Sequence, residues 1–209
     1  MSDGQSKSAS ESGLMLSLLR HGETRLLAKG HILRGQLDDP LTDKGCEQMT
    51  TAFDNYLPVH QWQAIISSPL SRCADIAHQK SAEYQLPLCI MDALGEMDFG
   101  EWEGRATAEL FEQFPDEMAM WWQTPTQFTP PDGESVDAFA GRIDDALVQM
   151  VQFANTHRYD RLCVITHGGV IKYLYCKAQG LSLDEILKQP AELGEFHTFI
   201  LQNNRLLLP

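Results

Sequence analysis

The chain has 209 residues, of which 43% are hydrophobic, and this is enough apolar material to bury the core of one large domain. Lysine and arginine total 16 against 29 aspartates and glutamates, so the formal net charge is −13. A surface of that sign repels nucleic acid and anionic membranes, which argues against both as partners. Any phosphate-binding site in such a protein has to be locally basic.

The first twelve residues, MSDGQSKSASES, are small and polar and lack the apolar stretch of a secretory signal. We therefore expect a disordered tail over 1–12 and a single domain over 13–209. The five cysteines are scattered and form no CxxC pair, which predicts reduced thiols in a cytoplasmic protein. The histidines outside the motifs described below show no metal-binding spacing, so the sequence predicts no metal and no other cofactor.

Short apolar runs alternate with segments of helical periodicity along the chain. The runs predict five strands, which cover 14–19, 64–67, 88–91, 162–166 and 196–201. Helices are expected after Thr42, after Pro69, over 136–155, and from the HGG at 167–169 to Gly180. Ser182 and Glu185 match a capping box that opens a short helix before Pro190, and Asn203-Asn204 predicts a terminal hairpin. The alternation is typical of an α/β sandwich.

The stretch around 104–133 interrupts this pattern, because it combines short helical pieces with prolines and a cluster of aromatic residues. We expect a cap-like insertion lying over the carboxyl edge of the sheet. An irregular surface excursion packed by Trp121 and Trp122 explains the same composition equally well.

Polar side chains follow three of the predicted strands. The runs concerned are LLRHG with Arg20, His21 and Gly22, IISSPLSR with Ser67, Ser68 and Arg72, and VITHGG with His167, Gly168 and Gly169. In an open α/β sheet, ligands bind outside the carboxyl ends of the strands, so we expect the three groups to face one crevice.

The basic residues indicate an anionic ligand. Arg20 and Arg72 can each hold two phosphate oxygens through the planar guanidinium group, and the amides near Gly22 and Gly168 can approach closely because glycine has no side chain. The predicted ligand is a small-molecule phosphate monoester.

Two histidines and one glutamate supply candidate catalytic groups. A neutral imidazole is a competent nucleophile toward phosphorus, and nearby arginines keep it neutral. His21 attacking while His167 stabilises charge is one assignment, and the reverse is chemically allowed. Glu96, flanked by apolar residues, is the candidate proton donor for the leaving oxygen.

The motifs together resemble those of the histidine phosphatase superfamily, the phosphoglycerate mutase-like proteins. They are RHGET at 20–24, DDPLTDKG at 38–45, SSPLSRC at 67–73, GEMDFGEWEG at 95–104, GES at 133–135 and THGG at 166–169. The resemblance implies a three-layer α/β/α fold with a mostly parallel central sheet, and a reaction without metal.

The resemblance also implies residue roles. The histidine matching His21 is phosphorylated, the residues matching Arg20, Arg72 and His167 hold the phosphoryl oxygens, and the acid matching Glu96 protonates the leaving group. Water then releases phosphate.

The sequence departs from the family pattern beyond RHGET. Leu27 replaces an asparagine that contacts phosphate in many members. We expect Arg34 to supply part of the lost contact, and Arg34 and Thr24 to touch the substrate.

Within the superfamily the chain is similar to the α-ribazole phosphatase branch, which acts on α-ribazole 5′-phosphate in cobalamin biosynthesis. A phosphoglycerate mutase is the alternative enzyme, although mutases of this family are usually longer. A non-catalytic phospho-ligand binding protein is the alternative outside enzymes, but it would be expected to lack the nucleophile or the acid. A homo-oligomer remains open.

Overall fold

The computed structural model describes residues 13–209, so the tail expected over 1–12 lies outside the described residues. Within that range the strands form one sheet in the order β3-β2-β4-β1-β5-β6. The strands are β1 (Leu14–Arg20), β2 (Ala64–Ser67), β3 (Leu88–Ile90), β4 (Arg161–Thr166), β5 (Phe196–Gln202) and β6 (Arg205–Leu207). Neighbours from β3 to β1 are parallel, whereas β5 runs antiparallel to both β1 and β6. The predicted mostly parallel sheet is confirmed.

Helices connect the strands. They are α1 (Asp43–His60), α2 (Ser71–Tyr84), α3 (Thr107–Gln113), α4 (Pro115–Gln123), α5 (Val136–His157) and α6 (Gly168–Gln179). The Thr42 hydroxyl accepts the Gly45 amide at 3.0 Å, which caps α1 as predicted. At the end of α6, Gly180 adopts a φ of 65°, the left-handed conformation that glycine favours at a helix C-terminus.

Two apolar clusters cover the two faces of the sheet. Side chains of β1 alternate between them, since Leu16 and Leu18 belong to one cluster and Leu19 to the other. The first cluster contains the buried faces of α5 and α6, and the second contains those of α1 and α2. The layers are therefore helix, sheet and helix, which confirms the predicted three-layer sandwich.

Two predicted connections have different outcomes. Asn203 and Asn204 both have positive φ and join β5 to β6 as the predicted hairpin. The capping box is wrong, because the Ser182 hydroxyl accepts the amide of Asp184 at 3.3 Å, and the segment Leu183–Lys188 is a 3-10 helix. A 3-10 helix is tighter than an α-helix, which brings the second amide rather than the third within reach of the cap.

The stretch 104–133 contains α3, α4 and the 3-10 helix Pro125–Gln127. The two tryptophans of α4 differ: Trp121 is buried in the core, whereas Trp122 is 48% exposed. Within 13–209, no helix is both long and apolar enough to cross a membrane.

Candidate active site

The carboxyl ends of β1, β2 and β4 lie side by side because these strands are parallel, with β4 between the other two. The imidazole rings of His21 and His167 follow β1 and β4, and their centroids are 5.3 Å apart. Both side chains are buried, at 2% and 0% exposure. The predicted convergence of distant segments is thus present in the fold.

The His21 ring has one nitrogen held by the backbone. Nδ1 lies 2.9 Å from the carbonyl oxygen of Gly22 and donates to it, so the lone pair is on Nε2. Burial, followed by the charges of Arg72 and Arg20, lowers the pKa of His21 well below its usual value. The ring is therefore neutral at pH 7 and, within 13–209, no hydrogen bond reaches Nε2.

His167 has partners at both ring nitrogens. Nδ1 accepts from Nε of Arg72 at 3.2 Å, and Nε2 donates to the Ser68 hydroxyl at 2.7 Å. Burial, and then the charge of Arg72, lowers the pKa of His167 well below its usual value. A phosphoryl oxygen can receive the Nε2 proton only by taking the place of the Ser68 hydroxyl.

Arg72 is buried and connects the site to the loop that contains Gly35 and Leu37. Its two terminal nitrogens donate to the carbonyl oxygens of Leu37 at 2.9 Å and Gly35 at 2.6 Å. With the bond to His167, three of the five N–H groups of the guanidinium are engaged. Two N–H groups remain for a ligand.

Arg20 keeps more of its donors unused. One terminal nitrogen donates to the carbonyl oxygen of Ala191, whereas Nε is buried and has no partner within the described residues. An unsatisfied buried donor is costly, and an anion bound beside it would remove that cost. Burial also lowers the pKa of Arg20.

Glycines allow three close approaches. A Cβ on Gly22 would lie 2.3 Å from the carbonyl oxygen of Gly45, so this glycine serves packing against α1 as well as any phosphate contact. A Cβ on Gly168 would lie 3.0 Å from the guanidinium carbon of Arg20. On Gly169 it would lie 2.2 Å from Oε1 of Glu96.

Glu96 lies in the loop between two 3-10 helices, Asp92–Leu94 and Gly100–Trp102. Its Oε1 accepts the Met97 amide and its Oε2 accepts the Gly169 amide, both at 3.0 Å. The carboxyl group is thus fixed at the start of α6, two residues beyond His167.

An open cleft of about 770 Å³ leads away from these groups. Its lining includes Arg20, Glu96, Leu27, Arg34, Lys172 and Trp122. The Arg34 side chain is 9% exposed; it donates to the Ile32 carbonyl oxygen at 2.9 Å and has Nε 3.6 Å from Asp39. Burial, and then the charge of Arg72, lowers the pKa of Arg34. Arg34 and Leu27 therefore face the same space.

Thr24 is placed differently from the other candidate residues. Its backbone pairs with Leu41, and its buried hydroxyl has no hydrogen-bond partner within the described residues. It is absent from the lining of the cleft, so its substrate contact stays a prediction.

Three residues of the site received no role from the sequence: Ser68, Gly169 and Lys172. Gly169 is the second glycine of the THGG motif, so the motif itself could have indicated a close approach at this position. Lys172 lies four residues after Gly168 on α6 and hence on the same helix face. Nothing in the sequence indicates that Ser68 is the hydrogen-bond partner of His167. Within 13–209, no group of three or more His, Cys, Asp or Glu side chains is arranged to hold a metal ion.

The fold and the site together define an α/β enzyme. Its anion-binding site, which we call the anion cage, consists of two arginines and two histidines: Arg20, Arg72, His21 and His167. The model of the histidine phosphatase superfamily (branch 1) matches residues 16–207. An adenosylcobalamin/alpha-ribazole phosphatase of Escherichia coli is 29% identical over 168 residues, 80% of each chain. A metal-independent phosphoserine phosphatase of Arabidopsis thaliana is 32% identical over 162 residues, 77% of this chain and 66% of that protein.

A solved structure shows the same fold. The alpha-ribazole phosphatase of Shigella flexneri superposes with a TM-score of 0.81 at 24% identity, covering 94% of this chain and 95% of that one. The chain belongs to the histidine phosphatase superfamily, branch 1, and is a phosphoric monoester hydrolase.

Proposed function

We propose that the chain hydrolyses phosphate monoesters through a phosphohistidine on His21, without a metal ion. The observation that carries the proposal is the difference between the two imidazoles. His21 has its lone pair on Nε2, which has no partner within residues 13–209, whereas both nitrogens of His167 are engaged. Only the first ring is ready to attack phosphorus.

The reaction has two steps. The Nε2 lone pair of His21 forms a bond to phosphorus while the ester P–O bond breaks, and the leaving oxygen takes the proton of Glu96. Water then attacks phosphorus and the P–N bond breaks. The proton that the water loses returns to Glu96, so phosphate leaves and both side chains regain their starting state.

The cage supplies charge stabilisation for both steps. The unpaired Nε of Arg20, the two remaining N–H groups of Arg72 and the Nε2 proton of His167 are donors for phosphoryl oxygens. Because Arg72 and His167 are buried and Arg20 is partly buried, these bonds form in a low dielectric, where they are stronger than in water.

The nucleophile is tested with His21→Ala and the matched control His78→Ala, since His78 is exposed on α2. With para-nitrophenyl phosphate and a chelator present, we expect the first variant to lose at least about a thousandfold in kcat and the control to keep full activity. Rapid acid quenching with labelled substrate should trap an acid-labile, base-stable phosphoenzyme only when His21 is present. Activity that survives His21→Ala, or disappears with the chelator, refutes the mechanism.

For the physiological substrate we propose α-ribazole 5′-phosphate. Support comes from Trp122, which lines the cleft, is 48% exposed, and presents an aromatic face suited to a flat heterocycle. The Escherichia coli relative, whose name includes alpha-ribazole phosphatase, matches over 80% of its own length.

Lys172 favours a second candidate, a phosphorylated carboxylic acid such as phosphoserine. Its ammonium group donates to the Leu187 carbonyl oxygen at 3.0 Å, and the side chain lines the cleft beside Arg20. A carboxylate on the substrate would pair with it. The Arabidopsis relative is named for phosphoserine.

A substrate panel with two variants separates the candidates. If α-ribazole 5′-phosphate is the substrate, Trp122→Ala raises its KM about tenfold and Lys172→Gln changes it little. The reverse pattern, with the highest kcat/KM on phosphoserine, favours the second candidate. Interconversion of phosphoglycerates faster than phosphate release would favour a mutase.

We also propose a cytoplasmic location. All five cysteines, which lie within the described residues, are unpaired thiols, and the buried ones include Cys73 and Cys163. Such thiols persist in a reducing compartment. Fractionation of the native source with an antibody against the chain tests the location, and recovery outside the cytoplasm contradicts it.

A further inference from the structure

The loop that carries Glu96 has an anchor that lies outside the cleft. Residues 95–99 form neither helix nor strand, so their position depends on hydrogen bonds from other elements. The main donor is Arg142, which lies on α5, and its partner is Glu134 of the GES motif.

The Arg142 guanidinium has an acceptor for each of its five N–H groups. One terminal nitrogen donates to the carbonyl oxygens of Ala93 at 2.8 Å and Gly95 at 3.0 Å. The other donates to the Glu96 carbonyl oxygen at 3.2 Å and to Oε2 of Glu134 at 2.7 Å. Nε donates to Oε1 of Glu134 at 3.0 Å.

This geometry fixes the loop from two sides. The Glu134 carboxylate holds the guanidinium in plane through two parallel bonds. The guanidinium in turn holds two carbonyl groups of the loop and the Ala93 carbonyl group of the 3-10 helix before it. Gln36 adds a fourth bond, from its side-chain amide to the Glu96 carbonyl oxygen at 2.6 Å. The Phe139 ring lies 5.1 Å from the guanidinium carbon and covers one face of the group.

The Glu96 carboxyl group depends on this anchor. Its two oxygens accept amides from Met97 and Gly169, so its place at the start of α6 is set by where the backbone of the loop runs. A shift of the loop by about one ångström would move the proton donor away from the leaving oxygen, and such a displacement costs a large factor in rate.

We infer that the Arg142–Glu134 pair positions Glu96 for proton transfer to the leaving group. The inference rests on the proposed role of Glu96. Lysine cannot replace Arg142, because an ammonium has three donors in a compact group and cannot span three carbonyls and a carboxylate in one plane.

Substrates with different leaving groups distinguish a loss of Glu96 positioning from a general loss of protein stability. Para-nitrophenolate leaves without protonation, whereas the alkoxide of benzyl phosphate needs a proton. For Glu96→Gln we therefore expect kcat/KM, which reports only the steps up to formation of the phosphohistidine, to fall about a hundredfold on benzyl phosphate and less than about fivefold on para-nitrophenyl phosphate. Arg142→Lys and the milder Glu134→Gln should show the same selectivity, with a ratio of at least about ten between the two losses in kcat/KM.

Arg105→Lys is the matched control. Arg105 also pairs with a glutamate, Glu109, at 2.7 Å and lies over an aromatic ring, but it touches no part of the Glu96 loop. This variant should show no selectivity. In the double variant Arg142→Lys with Glu96→Gln, the selectivity should not exceed that of Glu96→Gln alone.

The outcomes are distinguishable. Equal loss on both substrates in Arg142→Lys and Glu134→Gln, while Glu96→Gln remains selective, overturns the positioning role and leaves the proposed function standing. A Glu96→Gln variant without selectivity overturns the acid role and the inference with it. Thermal unfolding of each variant shows that the protein compared is folded.

Discussion

At the scale of single residues, His21 and His167 show what sequence motifs predict about a site and what they leave open. The motifs place both rings at strand ends, and the residue chemistry leaves their roles exchangeable. Ring-nitrogen partners distinguish the two rings, and the partner of His167 is Ser68, 99 positions away in sequence. Such a pair depends on strand order and register, which periodicity does not determine.

Arg34 is the residue whose predicted contact is easiest to test. It shares the cleft with Leu27, the position where many family members have asparagine. We expect Arg34→Gln to raise the inhibition constant of inorganic phosphate about tenfold, since a charge-assisted hydrogen bond is lost. Adding Leu27→Asn should recover part of the affinity, because the amide can reach the same anion. The test is phosphate inhibition of all three variants, and a double variant no tighter than Arg34→Gln would contradict the compensation.

At the scale of elements, the loop after β1 crosses the first turn of α1 at two glycines. A Cβ on Gly45 would lie 2.0 Å from the carbonyl oxygen of Glu23, and one on Gly22 would meet the Gly45 backbone. Both obstacles are backbone atoms, so no side chain can move aside. The crossing places His21 against α1, and the packing explains a glycine that the motif alone assigns to phosphate.

Gly45→Ala should therefore lower the free energy of unfolding by more than about 2 kcal/mol, through overpacking that only a backbone shift relieves. Gly141→Ala is the control, since Gly141 lies within α5 and, among residues 13–209, no atom beyond its chain neighbours and the backbone of its own helix lies within 4 Å of the added Cβ. Alanine there should stabilise the protein by about 0.5–1 kcal/mol. Urea unfolding measures both values, and a neutral Gly45→Ala would show that the crossing is looser than the distances indicate.

The elements themselves are mostly readable from sequence, and the reason is burial. The stripe of α5 repeats every three or four residues because one face meets the sheet, and Phe139, Ile143 and Met150 are buried as that spacing predicts. The Glu96 loop is different, because its conformation is held by Arg142 from another element. Local patterns carry no signal for such contacts, so the anchoring of the proposed acid was not predictable.

On the scale of the whole molecule, charge is distributed unevenly. The net charge is −13, yet in the part of the chain that the structure describes three cationic side chains and one carboxyl group line the cleft. The sequence predicts this local basicity only through the residues at strand ends. Lys172 and Arg34 join them because α6 and the loop after β1 turn toward the same edge of the sheet.

Buried neutral histidines also tie global stability to pH. The pKa values of His21 and His167 lie well below 6.5 in the folded protein because of burial and the neighbouring arginines. In the unfolded chain both titrate near 6.5, so below that pH the unfolded state binds protons that the folded state does not. The free energy of unfolding should therefore fall as the pH drops from 6.5, by about 1.4 kcal/mol per pH unit for each histidine. Above pH 7 the two histidines no longer make the free energy of unfolding depend on pH.

Burial also lowers the pKa of His197, so this residue adds to the dependence of the free energy of unfolding on pH. Variants are therefore needed to measure the separate contributions of His21 and His167. We expect His21→Asn and His167→Asn each to flatten the dependence between pH 5.5 and 6.5 by about one proton, whereas His78→Asn leaves it unchanged. Urea unfolding in phosphate-free buffer is the measurement, because bound phosphate would stabilise the folded state and mask the effect. An unchanged slope in His21→Asn would mean that folding does not lower the pKa of this ring, so its surroundings would not favour the neutral form that attacks phosphorus.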